Sequence, residues 1–201
     1  MARIKHTKNE LKAQRDALAR FERYLPTLLL KKQQLQIEVR QMDLAIEKKR
    51  GEEQAARAAM ASWVRLFAEE FPFAAHLRVR ERREGVGNIA GVAIPVLERL
   101  EFERRAPDLH DSPPWVDDGL AALETLARLK AERAVLEEQR RRIAEELRTT
   151  TQRVNLFEKV KIPEAREHIR VIRIFLGDQM TAEVARSKIA KGKSVERERA
   201  A

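Results

Sequence analysis

From Leu11 to Lys49 the sequence keeps one seven-residue beat. Leu11, Leu18, Leu25, Lys32, Val39 and Ile46 take one core position, and Gln14, Phe21, Leu28, Leu35, Met42 and Lys49 take the other. Nine of these twelve are apolar, while Lys, Arg, Glu and Gln fill most of the flanking places. Apolar side chains repeating every 3.5 residues draw a narrow seam along a helix, and such a seam is buried by pairing with another helix. The reading is a long helical segment over 1–70, starting near Thr7 and on the order of 90 Å in length. Thr7 is placed to cap it, with Glu10 three residues on to complete a capping box. Pro26 interrupts the backbone hydrogen bonds of that helix, and a kink is expected there because the heptad phase carries through without a slip. Gly51 is a second soft point.

A matching stripe occupies the other end of the chain. Ala122, Leu126, Leu129, Leu136, Ile143, Leu147, Val154 and Phe157 follow at steps of three, four or seven, and the stripe resumes after Pro163 at Ile169, Ile172 and Leu176. This defines a second long helical segment over 115–190. The stretch 71–114 between them differs in kind. Phe71-Pro72-Phe73 ends the helical pattern, because a residue before proline is pushed out of the helical region. Leu77, Val79 and Glu81 alternate with Arg78, Arg80 and Arg82, and the β-branched run Val92-Ala93-Ile94-Pro95-Val96-Leu97 supplies a return. The expectation is a small β-hairpin over about 77–102, with Gly85, Gly87 and Gly91 at its turn and Pro95 at an edge or a strand end. The fold class is therefore all-α dominated: an antiparallel two-helix coiled coil whose central region carries the hairpin and a proline-rich loop.

Charge enters because it invites a different reading. The chain carries 41 basic and 32 acidic residues, a formal net charge of +9. The two signs are interleaved, as on the solvated faces of long helices, and the excess gathers at the ends. Arg3, Lys5 and Lys8 stand at one end; Arg186, Lys188, Lys191 and Lys193 stand at the other, where 191–201 reads as a basic tail without fixed structure. An acidic protein surface accounts for that distribution as well as nucleic acid does. Cysteine is absent, so disulfides and thiolate metal sites are excluded. No apolar run approaches the ~20 residues that span a bilayer.

No catalytic pattern stands out. His6, His76, His110 and His168 show no metal-ligand spacing. Gly85-x-Gly87-x-x-x-Gly91 matches neither a dinucleotide fingerprint nor a phosphate loop. The pairs Asp117-Asp118 and Glu145-Glu146 read as helix N-terminal and solvated-face charges, and no nucleophile elbow occurs. Neither a cofactor nor a metal is expected.

Three blocks carry a family resemblance. Lys8-Asn9-Glu10-Leu11 with Leu25-Pro26-Thr27-Leu28-Leu29-Leu30-Lys31-Lys32 forms the first, and Asn88-Ile89-Ala90-Gly91-Val92-Ala93-Ile94-Pro95 the second. The third and most specific is Arg153-Val154-Asn155-Leu156-Phe157-Glu158, then Ile162-Pro163, Ile169 and Ile172-Arg173-Ile174-Phe175-Leu176. Together they resemble the D subunit of the V-type ATP synthases and ATPases, in its bacterial form. Gly177, where that family commonly has acidic residues, and the region of Gly192 depart from the pattern.

The resemblance implies a non-catalytic central-stalk shaft, present once per complex. Its partners would be an A/B hexamer of nucleotide-binding subunits, the small F subunit and a socket subunit (C or d) on the membrane ring. It would lie in the cytoplasm, peripheral to the inner face of the cell membrane and without inserting into it. The seam would comprise Leu11, Leu18, Leu25, Leu28, Leu35 and Val39 against Ile143, Leu147, Val154, Phe157, Ile169, Ile172 and Leu176. Antiparallel folding would gather Arg3, Lys5, Lys8, Arg186, Lys188, Lys191 and Lys193 into one basic tip that contacts the hexamer. Arg78, Arg80, Val92, Ile94 and Pro95 of the hairpin would meet the F subunit or the socket. Two other readings fit the residues alone: a homodimeric coiled-coil adaptor and a helical nucleic-acid binder.

Overall fold

Local chemistry sets where the first helix begins. The Thr7 hydroxyl oxygen accepts the Glu10 N–H at 3.2 Å, filling one of the orphan donors of the first turn. The capping box is only half made, because the Glu10 carboxylate accepts from the Gln14 side chain at 2.8 Å instead. From this cap α1 runs over Lys8–Met60 with Pro26 inside it. The computed structural model describes residues 4–108 and 112–200. After a single 3₁₀ turn at Val64–Ala68 come α2 (Phe73–His76), β1 (Leu77–Ile89), β2 (Val92–Arg104), α3 (Val116–Leu156) and α4 (Ile162–Ala200). A π-turn at Phe157–Lys161 joins α3 to α4.

The chain parts into two compact units: Lys31–Thr149, and the chain ends Met1–Leu30 with Thr150–Ala201. In the first, α1 and α3 run antiparallel. The ion pairs Lys31–Glu146 (2.6 Å), Asp43–Arg140 (3.0 Å) and Lys49–Glu132 (2.8 Å) step up one helix and down the other. Leu35 and Ile143 are fully buried, and Ile94 of β2 joins them in one cluster. Val39, Met42, Ile89, Val92 and Leu147 pack around it.

Where the sequence reading carries α1 to residue 70, the helix stops at Met60. Trp63 stacks on Phe67 at 5.6 Å, and Phe67 meets Phe73 and Trp115, each at 5.2 Å. A straight helix could not bring residues so far apart in sequence into one aromatic group, so the chain leaves the helix to form it. Gly119 permits the close approach. A Cβ there would lie 3.2 Å from the Trp115 ring and 3.4 Å from that of Phe67.

The hairpin is longer than expected, thirteen residues a side. Its turn is Ala90–Gly91, with φ of 51° and 80°. Positive φ at both central residues is the type I′ geometry, whose twist matches that of the strands. The Asn88 side-chain oxygen accepts the Gly91 N–H at 2.9 Å. Gly85 and Gly87 lie inside β1, not at the turn. A Cβ at Gly87 would meet Val96 Cγ2 at 2.8 Å, so that glycine makes room for a side chain across the ladder. Pro95 lies within β2, buried, opposite Val86. In a two-stranded sheet both strands are edges, which is how a proline is tolerated there. The register shifts twice, leaving Arg80 of β1 and Glu98 of β2 without an opposing residue.

In the second unit the early part of α1 pairs with the end of α3 and with α4, again antiparallel. His6 packs on Phe175 (4.8 Å), Phe21 on Phe157 (5.3 Å), and Glu22 accepts from Arg166 at 2.7 Å. Val154, Ile162, Ala165, Ile169 and Ile172 are buried. The five-residue step from Phe157 to Ile162 breaks the three–four spacing, and the π-turn falls on that step. Its wider turn absorbs the extra residue and returns Ile162 and Ala165 to the seam.

Candidate docking surfaces

Charged side chains on the first unit's helices mostly hold one another. Glu53, buried on α1, accepts from Arg57 at 2.5 Å and from Arg133 at 3.0 Å. Arg133 also reaches Glu137, which meets Arg50 at 3.3 Å. Lys49 occupies a seam position, yet its ammonium sits between Glu132 and Glu52. Those carboxylates, Glu132 first, raise its pKa above the ordinary lysine value. On α3 the half-buried Glu138 accepts from Arg141 and Arg142, each at 2.7 Å, and is pushed down to about 2, chiefly by Arg141. Among the described residues no group of His, Asp and Glu has metal-binding spacing. No described helix is long and apolar enough to cross a membrane.

Each seam residue read from the sequence is turned inward. Leu35, Ile143, Val154, Ile169 and Ile172 are buried, and Leu11, Leu18, Leu25, Leu28, Val39, Leu147, Phe157 and Leu176 are half-buried. Sequence reasoning passed over Ile162 and Ala165, whose place in the seam depends on the π-turn. It also passed over Gln139, which donates to the Pro95 carbonyl at 2.6 Å and ties β2 to α3.

The expected hairpin contacts divide. Arg78 and Arg80 are exposed, and Arg78 Nε donates to the Ala74 carbonyl. Ile94 is only 3% exposed, Pro95 is buried and Val92 packs on the same cluster. These three belong to the interior of this chain and present no docking face, because β2 lays its apolar side on α1 and α3. The outward apolar residues of the hairpin are Val79, Val86 and Val96.

Of the expected basic tip the described residues include Lys5, Lys8, Arg186, Lys188, Lys191 and Lys193. Arg3 lies outside the described residues. Lys5 and Lys8 are exposed beside the part of α4 near Phe175, to which His6 is packed. Arg186 stands about 16 Å farther along α4 at 1.5 Å per residue, with Lys188, Lys191 and Lys193 beyond it. From Gly177 to Ser194 every residue is exposed, including Met180, Val184 and Ile189. Helical backbone continues to Ala200, where a tail without regular structure is expected from the sequence. Ala, Lys, Glu and Arg are all good helix formers, and Gly192 alone does not end the helix.

Two helical segments that close their seams within one chain, with a strand pair laid against them, define a helical coiled-coil protein that carries a β-hairpin. Sequence comparison names the group. The family described as the D subunit of ATP synthase matches residues 10–192, and the chain belongs to it. The V-type ATP synthase D subunit of Borreliella burgdorferi is 44% identical over 199 residues, covering 99% of this chain and 98% of that protein. The V-type ATP synthase D subunit of Chlamydia felis is 35% identical over 203 residues, covering 98% and 96%.

Proposed function

We propose that this chain is the non-catalytic rotor shaft in the central stalk of a V-type ATP synthase or ATPase, passing torque between nucleotide-binding subunits and a membrane ring. The observation that carries the reading is the end-to-end similarity to the D subunits of V-type ATP synthases. The fold supports it, since the apolar seams are satisfied within one copy and the outside is dense in paired charge. A shaft that turns against fixed neighbours needs a surface that does not adhere in one orientation. In this reading the A/B hexamer closes around α4 beyond Leu176, where Arg186, Lys188, Lys191 and Lys193 face outward. The hairpin's Arg78 and Arg80 contribute to the surface met by the F subunit or the socket subunit. The complex keeps the chain at the cytoplasmic face of the membrane. Hexamer closure favours one shaft angle, and shaft rotation biases the hexamer in return, a reciprocal coupling of free energies.

Truncation after Leu176 tests this without opening the packed seam, because the residues removed are exposed up to Ser194. In the assembled complex the truncation lowers ATP-driven ion transport more than ATP hydrolysis, since hydrolysis persists when torque slips. Transport and hydrolysis reduced in equal proportion would overturn the coupling role.

A further inference from the structure

The paired helices of the second unit carry their weak points at the same level. On α1, Pro26 leaves the Glu22 carbonyl without its N–H donor, and Glu22 adjoins Phe21, whose ring meets that of Phe157 at 5.3 Å. Across the seam Phe157 opens the π-turn, where the Ile162 N–H reaches back five residues to the Phe157 carbonyl. Pro163 comes next and has no N–H to give to the turn before it. Prolines and π-turns are the places where helices bend. Here two antiparallel helices carry them side by side.

Packing at this level is thin. No residue of α1 ahead of Leu35 is buried. Between the buried Val154 and Ile162, Phe157 and Lys161 are half-buried and the rest are exposed, Leu156 and Val160 included. Ala17, Phe21, Lys161, Ala165 and His168 line a groove of about 260 Å³ beside the π-turn. Among the described residues Glu22–Arg166 is the one ion pair that ties α1 to α4, and both partners are exposed. The turn also has a second way to bond. Were Ile162 to donate to Glu158, four residues back, the helix would close to α geometry and carry Ile162 and Ala165 about 100° off the seam. The apolar seam is what holds the wide turn open, so twist applied to α4 can be taken up by exchanging one acceptor. We propose that Pro26 and the π-turn with Pro163 form a built-in joint, where α1 and α4 bend together and α4 takes up twist through its wide turn. In the shaft reading this joint lets the end of α4 change its angle. The joint itself is a property of the chain and is tested on the chain alone.

Amide hydrogen exchange on the full-length chain, read by mass spectrometry, gives the first check. Amides of Phe157–Ile162 should exchange on the order of tenfold faster than those of Thr150–Val154 before them and of Arg166–Ile172 after them. Exchange that rises steadily toward the end of α4 is fraying, and uniform exchange is a rigid helix; either overturns the joint. The second check closes it. Deleting the exposed Val160 turns the five-residue step from Phe157 to Ile162 into four and restores an unbroken three–four spacing. With Pro26→Ala and Pro163→Ala added, the excess exchange should vanish while the helical circular dichroism remains. Excess exchange that persists in the folded variant overturns the proposal. Where that variant does not fold, spin labels on the otherwise native chain decide. The chain has no cysteine, so Asn155→Cys/Arg170→Cys labels a pair across the π-turn, and Thr125→Cys/Arg140→Cys labels an equal length of α3. The distance distribution across the π-turn should be the wider of the two, and equal widths overturn the joint. A rigid α4 leaves the shaft reading intact, because transport and hydrolysis test that reading separately.

Discussion

Leu35 and Ile143 meet across two helices with no exposed surface, and Ile94 of β2 closes on them from the hairpin. Removing the buried branch of either leaves a cavity bounded by three elements, none of which can collapse alone. Leu35→Ala therefore costs about 2–5 kcal/mol, read from urea unfolding followed by circular dichroism. Alanine at the exposed Leu44 changes stability by less than about 0.5 kcal/mol in the same measurement. Glu138 gives a pH test. Its carboxyl titrates at about 2 in the folded chain against an ordinary value of 4.5, because Arg141 and then Arg142 donate to it. A folded pKa below the unfolded one favours the folded state above the ordinary value, and that margin is lost as pH falls from 4.5 toward 2. Carbon-13 NMR of the side-chain carboxyl checks the midpoint, which Arg141→Gln raises. The carboxylate is only half-buried and Arg141 is exposed, so solvent screens the pair, and the effect on overall stability is small and weakens with salt.

At the scale of elements, both long helical segments carry a proline, and each accommodates it differently. Pro26 sits inside α1, and the Glu22 carbonyl loses its usual N–H partner. The Thr27 hydroxyl donates to the Tyr24 carbonyl at 2.8 Å, a bond that comes from a side chain and leaves the ladder gap unfilled. Pro26→Ala restores the ladder and stabilises the chain by roughly 1–3 kcal/mol, measured as a higher thermal midpoint. Pro163 lies just after the π-turn, where the bonding pattern is already widened. The hairpin's weak point is its turn. A Cβ at Gly91 would meet nothing within 4 Å, so only φ resists substitution. Gly91→Ala costs roughly 1–2 kcal/mol for the left-handed backbone. Amide exchange should accelerate in β1 and β2 ahead of α3 in that variant.

At the scale of the whole molecule the seams of both units are satisfied inside one copy. The isolated chain should be a monomer of 23.3 kDa by light scattering, whereas a homodimeric adaptor would give twice that mass. Loss of the seam has the opposite consequence. Leu35→Glu/Ile143→Glu buries two carboxylates without partners, and that chain unfolds or associates. A monodisperse monomer with full helical signal from that variant would mean the seam does not hold the unit together.

The sequence alone pointed to the helical seams, because a heptad assigns a face to each position without knowing its neighbour. It determined the helix–hairpin–helix order through the proline and glycine punctuation, and the family through three blocks of residues. It left open how far one helix slides along the other, since every shift of a heptad keeps apolar against apolar. Tertiary contacts decided that offset: His6 on Phe175, Phe21 on Phe157, and Ile94 between Leu35 and Ile143. From the offset follows an α4 that continues past the level of Lys5 and Lys8. The burial of Val92, Ile94 and Pro95 was equally a tertiary outcome. A strand pair with an apolar side packs that side on the nearest apolar surface, and nothing local to the hairpin says that the surface is its own chain.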